Sequence, residues 1–195
     1  METYPSLRNR TQAAGFTLLE VLFSILILVV GLVAMASLVA QTVTGTERSR
    51  DMGLASTLAS EKLEDLNRWP TVDPNVAAGG SLGADTTVGT IDYFDDVVFA
   101  STSGQVSETV STKVGGTITY TTTSHTAGGI VTTTSSTTAP STTGQTAFHR
   151  RWIIESDPVV NSITLTGTRR VTVLVTLSNS VVKPAVNFQM SLVRP

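Results

Sequence analysis

The sequence predicts an α+β protein in which one long N-terminal α-helix, its first half transmembrane, packs on an antiparallel β-sheet. Three patterns carry that expectation. An apolar run from Phe16 to Ala40 contains a single charge, Glu20. Beyond it, Met52, Ala55, Ala59, Leu63 and Leu66 recur every three or four residues, the spacing of one helix face. Near the C-terminus, three segments alternate apolar and polar residues with period two.

The apolar run comes first. Its 25 residues, at ~1.5 Å per residue, make a helix of roughly 37 Å, longer than a ~30 Å hydrocarbon core. Arg8 and Arg10 precede it against Glu2 alone, which favours a cytoplasmic N-terminus by the positive-inside bias. Downstream, Glu47, Arg48, Arg50 and Asp51 cancel, so the bulk of the chain is expected outside the cytoplasm. A cleaved signal peptide with Ala34-Met35-Ala36 as its cut site is the competing reading. It fails because the run exceeds the ~7–15 residues of a signal core and carries a carboxylate near its start.

Leu54 and Leu58 widen the second stripe, Glu64 and Arg68 form an i,i+4 pair, and Pro70 should stop the helix after Trp69. Gly45 and Gly53 should leave the helix loose or bent around residues 42–53. That segment reads equally as an adjustable joint or as a plain linker between membrane and head.

After Pro70, Pro74, Gly79, Gly80 and Gly83 mark a loop, followed by an expected strand over Thr87–Phe99. Residues 101–146 hold 17 Thr and 8 Ser, with only Glu108 and Lys113 charged. β-Branched threonine still suits an exposed pleated face, so strands are expected over Val114–Thr123 and Ile130–Thr134, and a loop over Ala139–Gln145. The same stretch could carry O-linked sugars or act as an adhesive surface; hydrophilic loop filler is the preferred reading. In the C-terminal part, Phe148, Arg150, Trp152 and Ile154 share one face, as do Val171, Val173, Val175 and Leu177, and Val186, Phe188, Met190 and Leu192. Such segments form an antiparallel sheet with one buried face, and the Ala55–Leu66 stripe is the expected cover.

Composition narrows the function. Of 195 residues 14% are charged, against about 25% in average proteins, while 33 are threonine. A net charge of −2 argues against nucleic acid as the main partner. The absence of cysteine excludes disulfides, thiolate metal sites and cysteine nucleophiles. With His125 and His149 as the sole histidines, multi-histidine metal sites and histidine-based catalysis are disfavoured, and no cofactor or metal is expected.

Four local patterns were weighed for chemistry. Gly79-Gly80-Ser81-Leu82-Gly83 fits the G-x-S-x-G spacing of a hydrolase elbow, but that elbow needs a strand before it and a helix after it, and neither flank qualifies; a glycine-rich loop is the better reading. Asp92, Asp95 and Asp96 offer oxygen ligands for calcium, yet lack a calcium-loop spacing and read as a solvated turn. The doublets Arg150-Arg151 and Arg169-Arg170 should each turn one arginine to solvent, for an acidic neighbour or a polyanion, or as part of a mixed charged face. Asn9-Arg10-Thr11 is a formal glycosylation sequon inside the expected cytoplasmic leader and is discarded.

Glu20 is the odd residue. A carboxylate in hydrocarbon is costly unless it is protonated, paired or able to reach the headgroups. Gly15-Phe16-Thr17-Leu18-Leu19-Glu20, after a short basic leader and before an apolar helix, resembles the N-terminus of type IV prepilins and secretion pseudopilins. That resemblance implies a prepilin peptidase that cuts between Gly15 and Phe16 and methylates the new amine of Phe16. It also implies that Glu20 neutralises the Phe16 amine of a neighbouring subunit. Gly31-Leu32-Val33-Ala34 and Leu58-Ala59-Ser60-Glu61-Lys62-Leu63-Glu64-Asp65-Leu66 are similar to PilV-type minor pilins and related pseudopilins, so the likeness covers residues 10–69. The segments around Arg150-Arg151-Trp152 and Arg170-Val171-Thr172-Val173 are similar to the closing strands of PilV-type proteins.

The resulting expectation is a pilin-like, non-enzymatic subunit with a leader at 1–15, a long helix at 16–69 (16–40 transmembrane) and a β-rich head at 70–195. Its implied partners are prepilin peptidase, other major and minor pilins, an inner-membrane assembly platform, and membrane lipid before assembly. The alternatives are a type II secretion pseudopilin, a bitopic periplasmic binding protein with an uncut anchor, and a membrane-anchored hydrolase acting through Ser81.

Overall fold

The computed structural model describes residues 16–89, 91–102, 105–114, 116–141, 145–178 and 186–195. Helix α1 runs without interruption from Leu18 to Arg68, one residue short of the end expected from Pro70. It is helical straight through 42–53, and the glycines there meet nothing within 4 Å of an added Cβ. The expected loosening is therefore not a break in the helix. Thr42, Thr44 and Thr46 turn their hydroxyls back to main-chain oxygens of the preceding turn, which keeps these polar side chains satisfied on the helix itself.

The chain divides into two compact units at Thr46 and Glu47. In the first, every described residue is exposed, and from Phe16 to Ala40 all are apolar or glycine except Thr17, Glu20, Ser24 and Ser37. A helix of that kind has no core of its own and requires lipid or other helices around it. It is also long and apolar enough to cross a membrane.

Among its described residues the second unit has twelve strands: β1 (Gly79–Gly80), β2 (Thr87–Val88), β3 (Ile91–Asp92), β4 (Phe94–Thr102), β5 (Gln105–Val114), β6 (Thr117–Thr126), β7 (Val131–Ser136), β8 (Thr146–Ser156), β9 (Val159–Val160), β10 (Ile163–Thr164), β11 (Arg169–Leu177) and β12 (Asn187–Arg194). The main sheet is antiparallel in the order β12-β11-β8-β4-β5-β6-β7. β1 continues the β4 side of β8, pairing Gly79 with Ile154 beyond the Phe94–Arg151 pair.

Register places Phe148, Arg150, Trp152 and Ile154 of β8 beside Leu177, Val175, Val173 and Val171 of β11, and Arg150 and Phe148 beside Asp95 and Val97 of β4. These residues line the inner face, and α1 covers it with Ala55, Leu58, Ala59, Leu63 and Leu66; Val76, Tyr93 and Val186 complete the core. The three C-terminal strands and their helical cover thus match the period-two reading. Arg194 closes the helix end: its guanidinium donates to Leu66 O at 2.9 Å and Trp69 O at 2.7 Å, two of the carbonyls a helix C-terminus leaves open.

Two expectations in the middle of the chain need correction. The single strand over Thr87–Phe99 is instead β2, a turn through Gly89 at φ +62°, β3 and β4. Tyr93 interrupts the last two because its N–H donates to Thr86 O while its own carbonyl accepts from Trp152 N. The strand over Val114–Thr123 straddles a hairpin turn, with Gly116 at φ +85° between β5 and β6, and β5 itself was not foreseen. β7 lies two residues beyond the expected Ile130–Thr134 at its C-terminal end.

One buried ion pair sits under the helix. Arg150 donates from Nε to Asp95 Oδ1 at 2.6 Å and from Nη2 to Oδ2 at 2.9 Å, with both side chains at most 6% exposed. Lys62 of α1 adds an ion pair to Asp95 Oδ2 at 3.2 Å and lies 4.2 Å from the Trp152 ring centroid. Removing Asp95 leaves the buried Arg150 guanidinium without its counter-ion, so Asp95→Ala should cost about 3–5 kcal/mol. The double variant Asp95→Leu with Arg150→Met should recover most of that loss, as read by thermal unfolding of the sheet signal in circular dichroism.

Candidate functional site

The candidate site begins where α1 begins. Thr17 precedes the first helical residue, and its Oγ1 accepts from Glu20 N–H at 3.3 Å while its carbonyl accepts from Glu20 N at 3.0 Å and Val21 N at 3.2 Å. Thr17 is thus the N-cap, and Glu20 stands three residues on, the spacing of a capping box. A carboxylate in the first turn also meets the positive end of the helix dipole. The T-x-x-E signal lay in the sequence and would have placed the helix start at Leu18.

Ser24 donates its hydroxyl to Glu20 O at 2.8 Å, so both polar residues lie one turn apart on one face. At about 100° per residue, Gly31 returns to within ~20° of Glu20 on the same face. Around them the surface is Leu18, Leu19, Val21, Leu22 and Phe23, all exposed. Phe16 stands before the helix at 79% exposure, and Phe16, Val21, Ser24, Ile25 and Leu28 line a shallow open groove. Among the described residues, Glu20 has no ion-pair partner. Its charge can be met only by water, headgroups or a cation from elsewhere. Gly15, Arg8 and Arg10 lie outside the described residues.

The head's polar clusters resolve the other sequence candidates. Ser81 Oγ accepts from Gly83 N–H at 3.1 Å, a local turn, and no helix follows. The glycines before it serve packing: a Cβ on Gly80 would lie 2.2 Å from Trp152 O, and Gly79 is pressed against the Tyr93 ring. Asp92, Asp95 and Asp96 part company. Asp92 accepts from Thr87 Oγ1 at 2.6 Å, Asp95 is buried with Arg150, and Asp96 faces His149. Among the described residues no His, Asp and Glu group is arranged to hold a metal.

The pleat splits each arginine doublet, with Arg151 and Arg170 on the partly exposed outer face, and all four arginines find partners in the chain. Arg150 is buried, Arg151 donates to Asp85 at 2.8 Å, Arg169 donates to Val76 O, and Arg170 holds Glu155 through two bonds of 2.6 and 2.9 Å. The reason is strand pairing, which sets Asp95 beside Arg150 and Glu155 beside Arg170.

A cluster missed from sequence lies on the outer face. His149 Nδ1 is 2.5 Å from Asp96 Oδ1 and its Nε2 is 2.9 Å from Asp85 Oδ1, so the ring bridges β4 and the 81–86 loop. A ring donating from both nitrogens is an imidazolium, and the Arg151 Nε–H then goes to Asp85. The Asp96 hydrogen bond raises the His149 pKa above its usual 6.5 against the opposing effect of burial, with Asp85 adding to the rise. Burial would raise Asp85, but the hydrogen bonds from His149 and Arg151 hold it below the ordinary aspartate value. On the inner face, burial pushes the Glu108 carboxyl up, the nearby Glu61 adds to this, and Arg150 and His125 oppose it.

A family model described as the prokaryotic N-terminal methylation motif matches residues 10–36. The match supports a type IV prepilin-like N-terminus, one processed by prepilin peptidase and assembled with other pilins, and with the apolar helix it fits anchorage in an inner membrane. No curated protein and no solved structure matches the chain.

The bridge fixes a sign for pH dependence. The folded His149 pKa is raised, so its stabilisation is fully present below the unfolded value of about 6.5 and is lost as pH rises through the folded value. Asp85 acts oppositely: its share is present above the ordinary aspartate range and is lost as pH falls through its lowered folded pKa. His149→Gln should therefore lower the unfolding temperature most near pH 6, and the gap from wild type should close toward pH 9.

Proposed function

We propose that this chain is a structural minor pilin of the PilV type, built into a type IV pilus or priming its assembly. In this reading residues 1–15 are a leader, 16–69 the long helix with 16–40 in the inner membrane, and 70–195 a periplasmic head. The observation that carries it is the sequence Gly15-Phe16-Thr17-Leu18-Leu19-Glu20 at the start of a long, exposed and predominantly apolar helix segment.

The chemistry follows from that placement. Prepilin peptidase cuts between Gly15 and Phe16, leaving an amine with a pKa of about 7.7–8.0 that methylation keeps cationic. Glu20 supplies the opposite charge, and in a low-dielectric surrounding the two attract far more strongly than in water. Only a neighbour in matched register brings the Phe16 amine of one subunit to Glu20 of the next. Apolar side chains of adjacent helices replace lipid as the subunit leaves the bilayer, so extraction exposes little new apolar surface to water. The partners are prepilin peptidase, other pilin subunits and an inner-membrane assembly platform.

Mass spectrometry of protein from membranes that contain a prepilin peptidase should find methylated Phe16 as the first residue. A mature chain still carrying Arg8 and Arg10 would turn the reading to an anchored periplasmic binding protein. Glu20→Ala should insert into membranes as wild type does and drop at least tenfold in isolated fibres; recovery from pili rather than from a type II secretion pseudopilus identifies the machine.

A further inference from the structure

Among the described residues β7 ends the main sheet, with β6 on one side and no strand on the other, and all six of its residues are exposed. Natural edge strands are usually blunted by lysine, proline, a bulge or a covering element. From Ile130 to Ala139 the chain has no charge and no proline, and it is dominated by β-branched residues that favour an extended backbone. The β6–β7 register runs unbroken from Tyr120–Ser136 to His125–Val131, with no bulge.

The phase of the hydrogen bonds shows what the edge offers. Thr126 N–H donates to Ile130 O at 3.0 Å, in line with the β6–β7 register. In an antiparallel ladder alternate residues bond to the neighbour. Ile130, Thr132, Thr134 and Ser136 therefore face β6, while Val131, Thr133 and Ser135 turn their N–H and C=O groups to the open side. These three residues are symmetric about Thr133. A two-fold axis through Thr133, perpendicular to the sheet, sets Val131 against Ser135, Thr133 against Thr133, and Ser135 against Val131 of a second copy. Every open donor then meets an acceptor, and an uncharged strand meets its copy without repulsion. Hydroxyls on adjacent strands already bond in this sheet, as Thr109 and Thr122 do at 2.8 Å.

We infer that β7 is a self-docking edge: two copies of this chain join antiparallel through Val131–Ser136, centred on Thr133, and continue the sheet from one head into the next. One short ladder buries little surface, so the pairing is weak for free chains. The pairing does not require cleavage at Phe16.

The test uses the full chain in detergent at high protein concentration, where the absence of native cysteine gives a clean background. Facing Thr133 residues would have Cα atoms about 5.5 Å apart, within disulfide reach. Mild oxidation of Thr133→Cys should yield at least ten times more covalent dimer than Thr123→Cys. Thr123 is the β6 partner of Thr133, so two copies of it would stand about three strand spacings apart, ~14 Å, too far to bridge. Adding Ser135→Pro to Thr133→Cys removes an outward N–H while sparing the bonds to β6, so the dimer should disappear with the circular dichroism unchanged. Equal cross-linking at both positions, a monomeric Thr133→Cys with a folded head, or a dimer that survives Ser135→Pro would each overturn the inference. None of these outcomes touches the identity of the mature N-terminus, so this proposal and the pilin reading fail separately.

Discussion

The head is organised around one buried ion pair. Arg150 and Asp95 face each other across β8 and β4 on the side of the sheet that the helix covers, and Lys62 reaches the same carboxylate from above. A buried pair is weak evidence for net stability, because desolvation offsets most of its attraction. What it fixes is alignment. Burial works against the Arg150 charge, but Asp95 outweighs it and the guanidinium stays charged. A one-residue slip of β4 against β8 would carry Asp95 to the outer face and leave that charge alone in the core. The same slip would turn Val97 away from Phe148. Apolar packing and ionic pairing therefore select one register between them, and the helix rotation follows, since Lys62 is seated between Asp95 and the Trp152 ring.

From that alignment the two faces of the sheet take different work. The inner face closes on Ala55, Leu58, Ala59, Leu63 and Leu66 and ends at Arg194, which ties β12 to the last turn of α1. The outer face carries the charges that alternate with the core residues: His149 and Arg151 meet Asp85 and Asp96, and Glu155 meets Arg170. The arginine doublets are thus neither a polyanion patch nor spare surface charge. Each doublet is cut by the pleat into members that act on opposite faces. The β5–β6–β7 wing is mostly half-buried or exposed among the described residues, and its threonines stand on both faces.

How much of this was legible depended on whether the pattern was local. The apolar run, the helical stripe to Leu66 and the period-two segments at 148–155, 171–177 and 186–193 each declare themselves within a few residues, and the fold followed from them. In the threonine-rich stretch the alternation vanishes, because threonine is acceptable on either face. There the dipeptide Gly115-Gly116 was the usable turn signal in the sequence, and a strand drawn from Val114 through it on the β-branched threonines was misplaced. Tyr93 illustrates a different failure: it breaks β3 from β4 through contacts with Gly79, Gly80 and Trp152, all distant in sequence. The Asp95–Arg150 pair stood partly in view, since period two already set Arg150 among Phe148, Trp152 and Ile154. A cation on a buried face requires an anion opposite, and only strand order, which sequence pattern does not give, names Asp95. His149 was out of reach for the same reason, because its carboxylates come from a loop and from β4.

The carboxylates of this chain show why its two ends behave differently. In the head, Asp95, Asp85, Asp96 and Glu155 each have a cationic partner supplied by the fold, so folding alone completes their electrostatics. Glu20 stands among exposed leucine, valine and phenylalanine with no such partner among the described residues. Its surroundings are apolar by composition, so neither water nor hydrocarbon suits the whole segment: water leaves the aliphatic surface wet, and hydrocarbon leaves the carboxylate unpaired. Both demands are met together by a surrounding that is apolar around the helix and cationic at one point near its start. In the proposed pilin, copies of the same segment cut before Phe16 would supply that combination, an apolar helix whose first residue is an amine four positions before Glu20. Assembly in the proposed pilin is in this sense the completion of an electrostatic balance that the folded head reaches alone and the N-terminal helix cannot.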